Sequence, residues 1–361
     1  MERTSLLEKL NMARPCLSTQ DIVPILSHFC FTDEEIIAFN GIQGIIIDYE
    51  DAVTIENCGL PGELLIKLLS SYSSDKMAVN QKGNEVNIKI GKSNAKLACL
   101  PEADFIFEIP DIDDLPSFTL SEDFLMGIKK TLISVSKNSL QRNQFGITLV
   151  SDKKGAHLYS TDNQRISRYS LEKTLGKKSI KMLLPEVFCR LILDISKELN
   201  DTSAELYFSE DFIFACFEGV YVYTKLLTEV DYLDYEAVIE AHWDEEENEF
   251  QEIPENLLTA IERTTLLTSK ETDQIVHLDS EEETLLVSGK SGYGAIKESI
   301  VFEEDISEEE ISCRMDANHI LDILQAVDEI AFCYSTGEDS IPMLAGKSDS
   351  FFHLVMGFKD E

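Results

Sequence analysis

Three ungapped stretches of this chain repeat one pattern: residues 6–19 (LLEKLNMARPCLST), 124–137 (FLMGIKKTLISVSK) and 257–270 (LLTAIERTTLLTSK). Each opens on two apolar residues, keeps Leu or Ile at its fifth position (Leu10, Ile128, Ile261) and has Ser at its thirteenth (Ser18, Ser136, Ser269). Self-similarity at a fixed period reports copies of one supersecondary unit. Here the period is about one domain long, so it predicts three related domains, 1–117, 118–236 and 237–361, and not a solenoid.

A second repeated segment follows several strand-like runs in each third: 60–69 (LPGELLIKLL), 184–193 (LPEVFCRLIL) and 315–324 (MDANHILDIL). Its sixth, ninth and tenth positions are apolar in every copy: Leu65, Leu68, Leu69; Cys189, Ile192, Leu193; Ile320, Ile323, Leu324. That i, i+3, i+4 spacing makes one buried face of a short helix. Pro61 and Pro185 stand where a missing N–H costs nothing, and Asp316 is placed to cap the third copy. Between the helices lie β-rich runs at 86–90, 145–150, 206–208, 212–217 and 351–358, separated by turn residues such as Lys82-Gly83-Asn84 and Lys153-Lys154-Gly155. Two helices per domain on antiparallel sheet define an α+β class.

The formal net charge is −36, concentrated in the last third, while the middle third is close to neutral. Such a surface repels nucleic acid at long range and keeps a protein soluble. No apolar run approaches the ~18 residues that would span a bilayer, and the start lacks a signal peptide's apolar stretch, so the expected location is the cytoplasm. The eight cysteines are scattered among apolar neighbours, without the close pairs that hold zinc or run redox chemistry. There is no Gly-rich phosphate loop, HExxH or G-x-S-x-G, so neither catalysis nor a cofactor is expected.

The first repeated helix carries a polar regularity against this acidic background. Lys130 and Arg263 occupy one repeat position, and Lys137 and Lys270 another. Seven residues are almost two helical turns, so each pair lies along one side, and Lys130 stands opposite Ile128 and Leu132. The first copy has Met12 and Thr19 at those positions, with Lys9 and Arg14 nearby. An ordinary solvated helix surface has this composition; so does a helix face that meets phosphates without reading bases.

Local motifs add a family resemblance. YSTDNQRI at 159–166 is similar to a strand-ending Ala-Thr-Asp-Gly-His-Arg-Leu signature, DYLDYEAVI at 231–239 to a Phe-Pro-Asp-Tyr segment, LVMGFK at 354–359 to a hydrophobic-Met-Pro-Met-Arg ending, and VPIL at 23–26 to Leu-Pro-Ile-Leu. Their order, with the threefold repeat and the acidic charge, resembles the bacterial DNA polymerase III beta subunit, the sliding clamp, across the whole chain. The resemblance implies three DNA-clamp domains per subunit and a homodimer closing head-to-tail into a ring around duplex DNA. It would be a non-catalytic processivity factor that tethers the replicative polymerase and is opened by a clamp loader carried on another chain. Retention on DNA would be topological, and few cations on inner helices would suit a ring that must slide. Lys130, Lys137, Arg142, Arg263 and Lys270 are the DNA-facing candidates.

The resemblance also implies a groove that receives short linear motifs from polymerase and loader. Carried over by position, it would use Thr161, Asn163, Gln164, Arg165 and Ile166 from the signature and Leu233 and Val238 from the interdomain segment. Leu354, Met356, Gly357, Phe358 and Lys359 would come from the chain end. Met, Leu, Val and Phe make an adaptable apolar pocket, with polar groups at the edge to orient a ligand. Ring closure would pack Phe105 near Leu266 and Leu267. Asn163-Gln164 in place of Gly-His, Leu233 and Gly357 in place of Pro, and Ala237 in place of an Arg depart from the family pattern and bear on ligand preference. A competing reading of the charge is an acidic DNA mimic, or a recruitment scaffold that keeps the clamp fold without encircling DNA.

Overall fold

In the computed structural model, residues 2–359 are described, except 21–22, 50–54, 56, 102–103, 106, 108–109, 138–143, 177–178, 228–229, 245–247, 267–273, 308–309 and 336–339. Contacts group the chain into two compact units, residues 1–122 with 187–228, and 123–186 with 229–361. Seven α-helices are present among the described residues. The first unit carries α1 (Arg3–Ala13), α2 (Gly62–Ser70) and α4 (Glu186–Leu199); the second carries α3 (Glu122–Thr131), α5 (Tyr235–His242), α6 (Leu257–Thr265) and α7 (Ala317–Leu324). Of the three boundaries, all within 118–236, two fall just after the first residue of a helix, α3 or α4. Among the described residues no helix is long and apolar enough to cross a membrane.

The three copies of the first repeated segment form α1, α3 and α6, and the copies of the second form α2, α4 and α7. The repeat is a packing rule: its first position (Leu6, Phe124, Leu257) and its fifth (Leu10, Ile128, Ile261) are at most 1% exposed in every copy. All three helices stop short of the fourteen-residue pattern. Pro15 follows the end of α1, where its ring cannot continue the ladder. In the other two copies the eighth position is a buried Thr that bonds back to the carbonyl four residues earlier, Thr131 to Gly127 at 2.7 Å and Thr264 to Ala260 at 2.6 Å. Such back-bonding competes with the helical ladder. In the second segment, Leu65, Leu69, Cys189, Ile192, Ile320, Ile323 and Leu324 are buried as the spacing predicts, while Leu68 and Leu193 lie half-buried at the border of their faces.

Within the first unit, a nine-stranded antiparallel sheet joins strands of the first and middle repeats, with Gln43–Asp48 pairing Val220–Lys225 and Ile46 opposite Tyr221. A separate three-stranded sheet (Met77–Lys82, Glu85–Ile90, Ser93–Ala98) turns at Gly83 and Gly91, whose φ of 57° and 58° are conformations that glycine adopts without strain. The second unit has an eight-stranded sheet, and a five-stranded one that ends on the short strand Phe358–Lys359. The apolar run at 351–358 is therefore two strands in different sheets, Phe351–Met356 and Phe358–Lys359, divided at Gly357.

Candidate functional site

Four strands at the centre of the second unit's eight-stranded sheet build the site: Ala156–Thr161, Arg165–Leu171, Phe351–Met356 and Pro342–Ser348. Side chains alternate between faces along a strand, so register decides which residues meet. Ile166 stands opposite Leu354 and Leu354 opposite Ala345; one step along, Tyr159 stands opposite Arg168, Arg168 opposite Phe352, and Phe352 opposite Lys347. Met356, opposite Met343, makes the next row. This face is covered by α5, whose Tyr235 and Ile239 join Tyr159, Ile166, Phe352, Leu354 and Met343 in one buried cluster; Leu233, Val238 and Met356 pack at its margin, half-buried.

Polar contacts hold α5 in place. Asp234 caps it, accepting from the Ala237 N–H at 3.2 Å. Tyr235 stacks on Tyr159 at 4.9 Å and its hydroxyl lies 3.1 Å from that of Thr148. Glu236 accepts from the Tyr159 hydroxyl at 2.6 Å and from Arg168 at 3.1 Å. Burial and the Glu236 carboxylate raise the Tyr159 phenol above its ordinary value, which keeps it protonated as the donor. Beyond the helix, the single Trp of the chain, Trp243, meets Phe250 and Phe352 at ring separations of 5.2 and 5.7 Å.

The Thr-Asp-Asn-Gln-Arg stretch is a turn closed by its own side chains. The Thr161 hydroxyl donates to the Arg165 carbonyl at 2.7 Å and accepts from the Asn163 N–H at 3.1 Å; Asp162 Oδ1 accepts from the N–H groups of Gln164 and Arg165, each at 3.1 Å. Asn163 takes φ 74°, a left-handed conformation that Asn tolerates where most side chains do not, and accepts from the Gln144 amide. The Met356 N–H donates to the Gln164 carbonyl at 2.8 Å, tying this turn to the end of the last long strand.

Arg165 leaves the turn on the opposite face. Its guanidinium lies 2.9 Å from Asp162 and 2.5 Å from Asp322 on α7, and His319 approaches Asp162 at 4.0 Å. Burial, then the positive Arg165, lowers the His319 pKa. On that face α3 comes close enough that a Cβ on Gly127 would stand 2.7 Å from Leu158 and Tyr169. Below it, Ser134, Ser167 and His353 form a closed chain: Ser134 Oγ to Ser167 Oγ at 2.7 Å, and Ser167 Oγ to His353 Nδ1 at 2.7 Å. All three are 0% exposed, which makes this Ser–His pair a core network out of reach of any substrate.

Of the residues expected in the groove, the structure gathers Ile166, Leu233, Val238, Leu354 and Met356 on one face, with Asn163 and Gln164 exposed at the edge of the turn. Gly357 is buried; a Cβ there would stand 3.0 Å from Met315 Cε. Phe358 is 43% exposed, and it and Lys359 pair with the strand Ser312–Asp316 in the other sheet. Thr161 and Arg165 are spent on closing the turn and on the ion cluster, so neither presents its polar head to the apolar face. Glu236, Trp243, Arg168 and Phe352 were not anticipated. The signal was there for α5: Asp234 as cap, then Tyr235, Val238 and Ile239 at helical spacing.

Of the three expected DNA-facing cations among the described residues, two are engaged. Lys130 folds back: its ammonium donates to the Ala326 carbonyl and Ser348 hydroxyl and lies 5.4 Å from the Phe351 ring centroid, and burial lowers its pKa. A helical wheel places it outward, but its four-carbon stem reaches an acceptor on a neighbouring element. Arg263 makes a two-point pair with Glu298 at 2.8 and 3.0 Å. Lys137 is exposed; Arg142 and Lys270 lie outside the described residues, as does Leu267. Leu266 is 79% exposed, and Phe105 packs half-buried beside Cys30, Ile37, Ile46 and Phe214.

No protein-family model and no curated protein matches this sequence. The fold does match solved structures. A DNA polymerase sliding clamp from Pseudomonas aeruginosa superposes with a TM-score of 0.83 at 16% identity, covering 100% of this chain and 99% of that one. A putative DNA polymerase III beta subunit from Eubacterium rectale reaches 0.84 at 19% identity, over 99% and 98% of the two chains. A sliding clamp from Bartonella birtlesii, solved bound to griselimycin, reaches 0.85 at 16% identity, over 100% and 98%. The class is thus an α+β protein of helices on antiparallel sheets. Its particular fold is that of the bacterial DNA polymerase III beta sliding clamps, held at low sequence identity.

Proposed function

We propose that this chain is a DNA sliding clamp: a homodimeric, non-catalytic ring of the cytoplasm that encircles duplex DNA and tethers a polymerase by a linear peptide. The observation that carries the reading is the match over essentially the full length of both chains, combined with a one-sided apolar cluster at the positions that the resemblance marks as its groove. Three repeated domains, 1–117, 118–236 and 237–361, would each present one first-type helix to the DNA. Among the described residues Lys137 is the exposed candidate cation; Lys130 and Arg263 would contribute only by leaving their present partners, and Arg142 and Lys270 complete the set. A sparse positive lining within an acidic protein favours the axis without the friction of many phosphate contacts. The apolar Leu266, with Leu267 and Phe105, would close the ring, which accounts for a leucine left in water in the single chain. A separate loader would open it.

Tethering works through effective concentration: a polymerase held on a ring that cannot leave its template rebinds after each slip. The groove is tested by fluorescence anisotropy with a labelled Gln-x-x-Leu-Phe peptide. Saturable binding is expected, weakened about tenfold or more by Met356→Ala or Leu233→Glu, since each removes or charges apolar wall. Binding that ignores both substitutions would move the peptide site elsewhere.

A further inference from the structure

The signature turn of the second unit has a counterpart in the first, with the same hydrogen bonds. Between the strands Glu35–Phe39 and Gln43–Asp48, Asn40 Oδ1 accepts from the N–H groups of Ile42 and Gln43 at 3.0 and 2.9 Å, as Asp162 Oδ1 does from Gln164 and Arg165. Gly41 takes φ 98° where Asn163 takes 74°. The Lys225 N–H donates to the Ile42 carbonyl at 2.9 Å, as the Met356 N–H does to that of Gln164.

Register extends the match across the sheet. In the second unit Thr161 stands opposite Ile166, Ile166 opposite Leu354 and Leu354 opposite Ala345. The same row of the first unit reads Phe39, Gly44, Tyr223 and Phe214. The floor of the proposed groove therefore recurs with one exchange that decides its shape: a glycine stands where Ile166 does.

That exchange leaves room, and the chain fills it. The half-buried Phe107 ring lies where a side chain on Gly44 would go, since a Cβ there would stand 3.2 Å from the ring's Cζ. Phe107 meets the rings of Phe39 and Tyr223 at centroid separations of 4.7 and 5.3 Å, the spacing of attractive aromatic pairs. It belongs to the segment between the strands Leu100–Pro101 and Ser117–Thr119, which links the first repeat to the middle one, as α5 belongs to the link between the middle repeat and the last. The same place on the second unit, against Ile166, Leu354 and Met356, is where the proposed groove would seat a partner's apolar residue.

We infer that the first unit carries a second, latent copy of the peptide groove, with Phe107 as its resident ligand. The inference rests on reading the Ile166–Leu354 face as the groove. A ring tethered beside its own site competes at the effective concentration of a short linker, on the order of millimolar, so a linear peptide at micromolar concentration does not displace it. The chain thus offers partners one site rather than two. The ligand that fits the latent site is a peptide carrying an aromatic residue, because a ring is what Phe39 and Tyr223 already hold.

The test counts Gln-x-x-Leu-Phe peptides bound per full chain by isothermal titration calorimetry at micromolar concentrations. The wild type should bind one and Phe107→Ala two, and adding Leu233→Glu to Phe107→Ala should leave one, on the first unit. Gly44→Ala, which crowds the ring without removing it, should also expose a second and weaker site, and it decides the matter if Phe107→Ala does not fold. One peptide on the wild type and still one on a variant that keeps the wild-type circular dichroism overturns the latent site while the groove stands. Two on the wild type, or none on the double variant, overturns it as well. None on the wild type but one on Phe107→Ala upholds the latent site and overturns the groove of the second unit; none on either overturns both.

Discussion

Arg165 and Asp322 are separated by 157 residues in sequence and by 2.5 Å in space, and the pair joins the signature turn to helix α7. Arg165 is 8% exposed and serves Asp162 as well. Arg165→Ala would leave the largely buried Asp162 without its guanidinium and free the half-exposed Asp322, and is expected to destabilise the protein by about 2–3 kcal/mol, below or at the low end of the range for removing one partner of a fully buried pair. Asp322→Asn keeps an acceptor on a side chain that is 41% exposed, and is expected to cost about 1 kcal/mol. Urea unfolding of both single variants and the double variant measures the coupling.

His353 gives the protein a pH dependence with a definite sign. It is fully buried among Ser134, Ser167 and apolar neighbours, and burial, reinforced by Arg165 and His319, holds its pKa well below the ordinary value. The unfolded chain binds the proton at about pH 6.5, so the contribution of a neutral His353 is intact above that pH and is lost as pH falls below it, by up to about 1.4 kcal/mol per unit. His353→Leu is expected to be less stable at pH 8. The difference from wild type should narrow between pH 6.5 and 5, as read from denaturation midpoints at each pH.

Gly127 reverses a familiar rule. A glycine inside an exposed helix normally gains about 1 kcal/mol on replacement by Ala. Here the added Cβ would stand 2.7 Å from both Leu158 and Tyr169, in a close-packed seam. Gly127→Ala is expected to lower stability by about 1–3 kcal/mol, and thermal melts of the two proteins decide the sign.

The parts of the fold that repeat were legible because repetition exposes burial. Leu10, Ile128 and Ile261 are core in every copy, and no other information is needed to see that they share one role. In the stretch around Asn163, Thr161 and Asp162 bond locally and close a turn, whereas Asn163 and Arg165 reach partners distant in sequence, Gln144 and Asp322, that no local motif contains. Side-chain direction was harder. Arg165 and Ile166 are neighbours in the signature, yet strand alternation sends one to α7 and the other to the apolar face. Lys130 illustrates a second limit, since its acceptor on Ala326 is 196 residues away in sequence and no helical wheel contains it. Helix α5 is only two turns long and overlaps the 231–239 motif, so its cap, Asp234, and the spacing of Tyr235, Val238 and Ile239 stand inside a segment that the resemblance marks as interdomain.

The most direct test of a ring is topological. The protein, incubated with a clamp loader and ATP on a nicked circular plasmid, is passed through a gel-filtration column at high salt before and after a single restriction cut. A ring held by enclosure stays with the circle and is lost when the DNA is made linear, because screening removes phosphate contacts but not a topological link. Equal loss from the circle and the linear DNA, or competition with DNA for a basic partner without retention on either, would contradict the clamp and favour an acidic mimic.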